Sequence, residues 1–178
     1  VVKQIGPVLA AVMVAGRVGG ALTAELGTMR VTEQLDAMRA MGTDPVAYLV
    51  VPRVIACAIM TPILTVYSDL LGVFGGYVFT VVMNDVPATQ YWAFSSAFVT
   101  WFEPTVGLVK AFFFGLSIGL ISCYKGFGCR PGAAGVGKAT TQAFVASFLS
   151  IIIINLVLAK FLNTISFFFF PHPPGLPI

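Results

Sequence analysis

Four long apolar stretches, almost empty of charge, dictate what this chain can fold into. They run from about Ile5 to Ala24, from Ala47 to Met83, from Pro104 to Tyr124 and from Ala139 to Leu162. A helix rises about 1.5 Å per residue, so roughly 20 apolar residues cross a hydrocarbon core about 30 Å thick. The first, third and fourth stretches each predict one crossing. The second is too long for a single straight passage, since about 35 residues of helix reach roughly 50 Å. Pro52, Pro62, Gly72, Gly75 and Gly76 offer points to bend. We read one long, kinked or tilted helix that protrudes from the membrane, with two short re-entrant pieces as the alternative. The expected fold class is all-α: a polytopic transmembrane helical bundle with four visible crossings.

Composition rules out other classes. Hydrophobic residues make up 58% of the chain and charged residues 10%. A soluble domain carries about 25% charged residues, and so few charges could not cover an aqueous surface. Ten basic residues are scattered among apolar runs rather than clustered on one face, so no nucleic-acid partner is expected. Cys57, Cys123 and Cys129 form no CxxC pair and suggest neither a zinc site nor a disulfide framework. The single histidine, His172, lies in the Phe/Pro-rich tail, residues 164–178, where a solvated or interfacial segment is expected. With no HExxH helix and no GxSxG elbow, no catalytic residues are assigned and no metal site is expected. The chain opens on Val1, already inside a helical pattern, and further helices are expected upstream. Residues 1–163 read as one transmembrane domain.

Between the first two stretches lies the most polar segment, carrying Glu25, Arg30, Glu33, Gln34, Asp36, Arg39 and Asp44. Met29, Leu35, Met38 and Met41 give a partial helical stripe, and Gly42 and Pro45 stop it. Arg30/Glu33 and Asp36/Arg39 are spaced to pair within a helix. An amphipathic helix over about 25–42, outside the hydrocarbon, follows. Arg30, Arg39, Arg53, Lys125, Arg130 and Lys138 fall on one side of the membrane if each stretch crosses once. The connection from Asn84 to Glu103 holds no Lys or Arg and carries Tyr91, Trp92 and Trp101, which suit an interface. The basic side is therefore expected to be cytoplasmic.

Charged side chains in hydrocarbon cost about 2.5–3.5 kcal/mol on insertion scales, so they face a cavity or a partner. Arg17, Asp69, Lys110 and Asn155 are the polar residues inside the stretches. Lys110 is the best candidate to meet an anionic headgroup, with snorkelling to the interface as the bland alternative. Arg17 fits a structural pair as well as a substrate contact, and Asp69 can answer either cation. Gly132 to Lys138 matches the start of a phosphate-cradling GxxxxGK[ST] loop. Ala139 then replaces the hydroxyl residue, and no buried strand precedes it. A tight turn is expected there, with Gly137 just before the next helix.

The run IGPVLAAVMVAGRVGGALTAELGTMRVTEQLDAMRAMGTDPVAYLVVPRVIA, together with GAAGVGKATT further on, resembles the signature regions of MlaE-type permeases, the membrane subunits of MCE-associated ABC transporters. The resemblance covers about residues 1–162. It implies a homodimer of subunits with five transmembrane helices and an interfacial helix each, of which the last four crossings are visible here. It implies that Glu25, Arg30, Glu33, Gln34, Asp36 and Arg39 belong to a coupling helix docked on a cytoplasmic ABC ATPase. That partner binds ATP and Mg, and this chain binds no cofactor itself. It further implies transfer of phospholipid or a related lipid between a bacterial inner membrane and a periplasmic MCE-domain protein, or the equivalent at a plastid inner envelope. The lipid cavity would involve Lys3, Gln4, Arg17, Lys110 and Asn155. Lys3-Gln4-Ile5-Gly6-Pro7 stands where relatives read Arg-Glu-[Leu/Ile]-Gly-Pro, so Gln4 lacks their acid. Asn155 stands where relatives often have Asp. The competing functional class is a secondary transporter or channel whose ion path is lined by Arg17, Asp69 and Lys110. A scaffold subunit without a transport path is a third reading.

Overall fold

The computed structural model describes residues 5–83, 87–98 and 102–169. Six helical elements follow one another: α1 (Ile5–Val31), α2 (Gln34–Ala40), α3 (Val46–Val82), α4 (Ala88–Phe98), α5 (Phe102–Phe127) and α6 (Ala133–Phe169). Among the described residues α1, α3, α5 and α6 are long and apolar enough to cross a membrane. The second apolar stretch is one continuous helix, which excludes the re-entrant alternative. Its Pro62 has no N–H to bond Ala58, and Thr61 and Thr65 donate to the carbonyls of Cys57 and Thr61 at 2.7 and 2.9 Å.

Helix α5 is the hub, packing against α1, α3 and α6. Glycines set the close approaches. A Cβ at Gly115 would strike the carbonyl of Cys57 on α3, and one at Gly119 would sit 3.0 Å from the Val54 Cα. A Cβ at Gly19 of α1 would sit 2.9 Å from Ser122 Oγ, and one at Gly126 of α5 would sit 2.7 Å from Leu26 Cβ. Thr23 Oγ1 donates to the Ser122 carbonyl at 3.1 Å across the same seam. The buried cluster of Ala11, Val14, Ala15, Phe114, Ile118 and Ile151 fills the centre between α1, α5 and α6.

The polar segment departs from expectation. Instead of one helix over about 25–42, α1 continues without a break through Glu25 to Val31, and a separate short α2 follows. Thr28 and Thr32 donate to the carbonyls of Ala24 and Thr28, at 2.8 and 2.9 Å, which competes with the helix ladder. Glu33 then takes the left-handed conformation, φ 59°. The expected Arg30/Glu33 pair is not formed; Arg30 reaches Asp36 instead, at 3.5 Å.

Two other boundaries move. Helix α6 begins at Ala133 rather than after Gly137, so Ala133–Lys138 is the start of a helix and not a turn. Gly132 supplies the turn, at φ 92°, and Gly135 lies so close to the Arg130 carbonyl that a side chain there would collide with it. Helix α6 also continues past residue 163 to Phe169, so the division between domain and tail falls within a helix; residues 170–178 lie outside the described residues. At the far end Tyr91 of α4 donates to the Val73 carbonyl at 3.0 Å, and its ring packs against Tyr77 and Trp92.

Candidate functional site

The helix seams fix the depth of each in-membrane polar residue. Helices α3 and α5 run antiparallel, with Val54 beside Gly119 and Thr61 beside Gly115. Continuing that register sets Thr65 near the level of Lys110 and Asp69 one turn further out. Phe114 and Ile151 share the central cluster. One turn outward from each, Lys110 and Asn155 stand at a common depth. Gly6, near the start of α1, lies against the Asp69 carboxylate. Lys110, Thr65, Asp69 and Asn155 thus form a polar layer around the outer part of α1, in the half of the bundle away from the basic end.

Each member of the layer is held differently. Lys110 is 1% exposed, the largest fully buried side chain among the described residues. That excludes snorkelling to the interface. Thr65 is fully buried, its hydroxyl committed to Thr61. Asp69 and Asn155 are partly buried, and one side-chain oxygen of each is enclosed without a hydrogen-bond donor. A buried acceptor left unpaired costs about 1–3 kcal/mol, so both oxygens are stabilised by an incoming donor. Asp69 also lines an apolar groove of about 750 Å³ with Val66, Leu70, Phe74, Trp92 and Leu108, between α3, α4 and α5.

The other expected cavity residues do not join this layer. Lys3 and Gln4 lie outside the described residues. Arg17 sits in a π-helical turn, Ala15–Gly19, and is exposed on the outward stripe of Ile5, Leu9 and Met13. Gly19 lies beside Ile118, so Arg17 is about two turns nearer the basic end than Lys110. Arg17 is exposed while Lys110 is enclosed, so the structure does not bring Arg17 together with Asp69 and Lys110. Asp69 was the member hardest to assign from sequence. Thr61, Thr65 and Asp69 recur every four residues on one helix face, and that polar stripe was the available signal.

At the basic end the polar segment projects from the bundle. Leu35 of α2 is fully buried and anchors it. Asp36 bridges Arg30 at 3.5 Å and Arg39 at 3.2 Å, and Arg53 of α3 pairs with Glu25 of α1 at 3.1 Å. Asp44 accepts from the Val46 N–H at 3.0 Å and starts α3. Glu33, Gln34, Asp36 and Arg39 remain exposed to a partner.

Residues 1–161 match the family model of the permease MlaE. The chain belongs to the MlaE permease family. A probable ABC transporter permease protein of Rickettsia felis is 47% identical over 158 residues, 89% of this chain and 61% of that protein. A probable ABC transporter permease protein of Pyropia yezoensis is 37% identical over 162 residues, 90% of this chain and 61% of the relative. The intermembrane phospholipid transport system permease protein MlaE of Haemophilus influenzae is 33% identical over 157 residues, 88% of this chain and 60% of that permease. The chain spans about three-fifths of the length of these MlaE-family relatives.

Proposed function

We propose that this chain is the membrane-spanning core of an ABC transporter permease that moves phospholipid, with the lipid headgroup taken into the polar layer around Lys110. The observation that carries this reading is a fully buried lysine within about one helical turn in depth of two unsatisfied acceptor oxygens, one of which, on Asp69, lines an apolar groove. A phospholipid offers the complement: a phosphate for the Lys110 ammonium, headgroup ammonium or hydroxyl donors for Asp69 and Asn155, and acyl chains for the groove. In the low dielectric of the bundle these contacts are stronger than in water.

The basic end is the cytoplasmic face by the positive-inside rule, and the membrane is a bacterial inner membrane. The exposed residues Glu33, Gln34, Asp36 and Arg39, with Glu25 and Arg30 behind them, form the handle for a separate ATPase, which binds ATP and Mg. A second copy of the permease completes a homodimer, and an MCE-domain protein receives or delivers the lipid at the far side. ATP-driven closure of the ATPase pulls on α2. The Glu25–Arg53 pair joins the base of the handle to the start of α3, so the pull reaches Asp69 at the outer end of that helix. No catalysis is assigned to this chain.

Reconstituted transport tests the site. Lys110→Met, with the ATPase and MCE protein present, is expected to lower lipid transfer at least tenfold while leaving ATPase assembly intact. Transfer at the wild-type rate would overturn the assignment of Lys110 and favour a scaffold role.

A further inference from the structure

The turn between α5 and α6 holds a second site, which does not rest on the transport reading. A cavity of about 460 Å³ opens there. Lys125 lines it from the last turn of α5, Arg130 from the turn and Lys138 from the second turn of α6, with Tyr124 and Gln142 beside them. No carboxylate lines it, and none of the three cations has an ion pair among the described residues. Arg30, Arg39 and Arg53, at the same end of the bundle, are all paired with Asp36 or Glu25. The first turn of the 37-residue α6 adds the positive end of its dipole.

The cations are displayed from a fixed frame. Cys129 N–H donates to the Gly126 carbonyl at 3.3 Å, and Gly128 N–H to the Tyr124 carbonyl at 3.2 Å. Cys129 packs against Gly27 of α1, and Gly135 against the Arg130 carbonyl. Ala133 to Lys138 is the start of a helix, so no backbone loop wraps a nucleotide's phosphates; the positive charge comes from side chains. Depth identifies the source of the anion. Lys125 lies in the last turn of a helix long and apolar enough to cross a membrane, where a lipid headgroup would meet it, and Tyr124 beside it is 77% exposed, as interfacial aromatics are.

We infer that this cavity holds the phosphate of an anionic phospholipid from the leaflet at the basic end. Lys125 is 15 residues, about 22 Å of helix, from Lys110, so the two lysines serve different leaflets.

The test is native mass spectrometry of the whole chain in detergent, titrated with phosphatidylglycerol or phosphatidylcholine. The wild type is expected to retain phosphatidylglycerol about fivefold or more over phosphatidylcholine. Lys125→Gln/Arg130→Gln/Lys138→Gln should bring the ratio near one, and Lys138→Gln alone should roughly halve it. Lys125→Arg/Lys138→Arg should keep it, which separates lost charge from lost fold, as should Arg30→Gln/Arg39→Gln. An unchanged ratio in the triple variant overturns the site. Displacement of the lipid by an equal concentration of inorganic phosphate would show a free-anion site instead. Loss of ATPase co-purification in the triple variant, with lipid retention unchanged, would assign the cations to a protein partner and also overturn it.

Discussion

Lys110 and Lys125 stand on one helix and have opposite surroundings. Lys110 is enclosed by the bundle in its outer half, 1% exposed, while Lys125 is partly exposed at the basic end beside Arg130 and Lys138. The same side chain is desolvated in one place and left near water in the other. A charge enclosed in hydrocarbon is held only by specific partners, so geometry governs it; one at the boundary is governed by the summed field of its neighbours. The first is suited to selecting a ligand and the second to gathering one.

That contrast can be broken at its foundation. Gly115→Val places a side chain against the Cys57 carbonyl directly below the polar layer. It is expected to abolish the folded bundle, seen as loss of the monodisperse peak on size exclusion; a normal peak and melting temperature would refute the tight α3–α5 seam. Overpacking typically costs about 1–3 kcal/mol, and a clash with backbone sits at or above the top of that range. Next in size is Lys110→Met against Lys125→Met. The first should cut lipid transfer at least tenfold, because the headgroup loses its buried cation. The second should change transfer by less than about twofold. Equal effects would erase the distinction between the two lysines.

Leu35→Ala sharpens the comparison at the handle. Removing a fully buried leucine costs about 2–5 kcal/mol locally, so α2 should detach, with faster hydrogen exchange over residues 34–40 and weaker ATPase co-purification. Unchanged exchange there would mean that Leu35 does not anchor the segment. The smallest effect belongs to Arg53→Ala. Its partner Glu25 is 62% exposed, so the pair contributes about 1 kcal/mol at most and should matter less at high salt. A melting-temperature shift as large as that of Leu35→Ala would contradict a screened boundary pair.

The crossings, the basic side and the charged segment between the first two spans were legible in the sequence because hydropathy and loop charge operate over many residues. The grouping of Lys110 and Asn155 at one depth, with Asp69 one turn further out, was not. Depth depends on how antiparallel helices slide past one another, and that is set by single contacts such as Gly115 on Cys57 and Phe114 with Ile151 in the shared core. Helix ends were also hidden. Glycines at 132, 135 and 137 read as a turn, yet Gly135 is helical and leaves room for the Arg130 carbonyl. Likewise the charges over Glu25–Gly42 read as one helix, while threonine hydroxyls and the left-handed Glu33 divide it.

Pro62 gives α3 a soft joint between two stiff arms. The arm below it carries Arg53, tied to the projecting handle; the arm above carries Asp69. A rod without such a joint would slide as a whole when pulled at its foot. With a backbone bond absent at Ala58 and threonine hydroxyls drawing on the carbonyls of Cys57 and Thr61, the upper arm can swing while the lower one holds its seam with α5. On the proposed coupling, a pull at the foot would become a change of angle at the head, where Asp69 borders the groove.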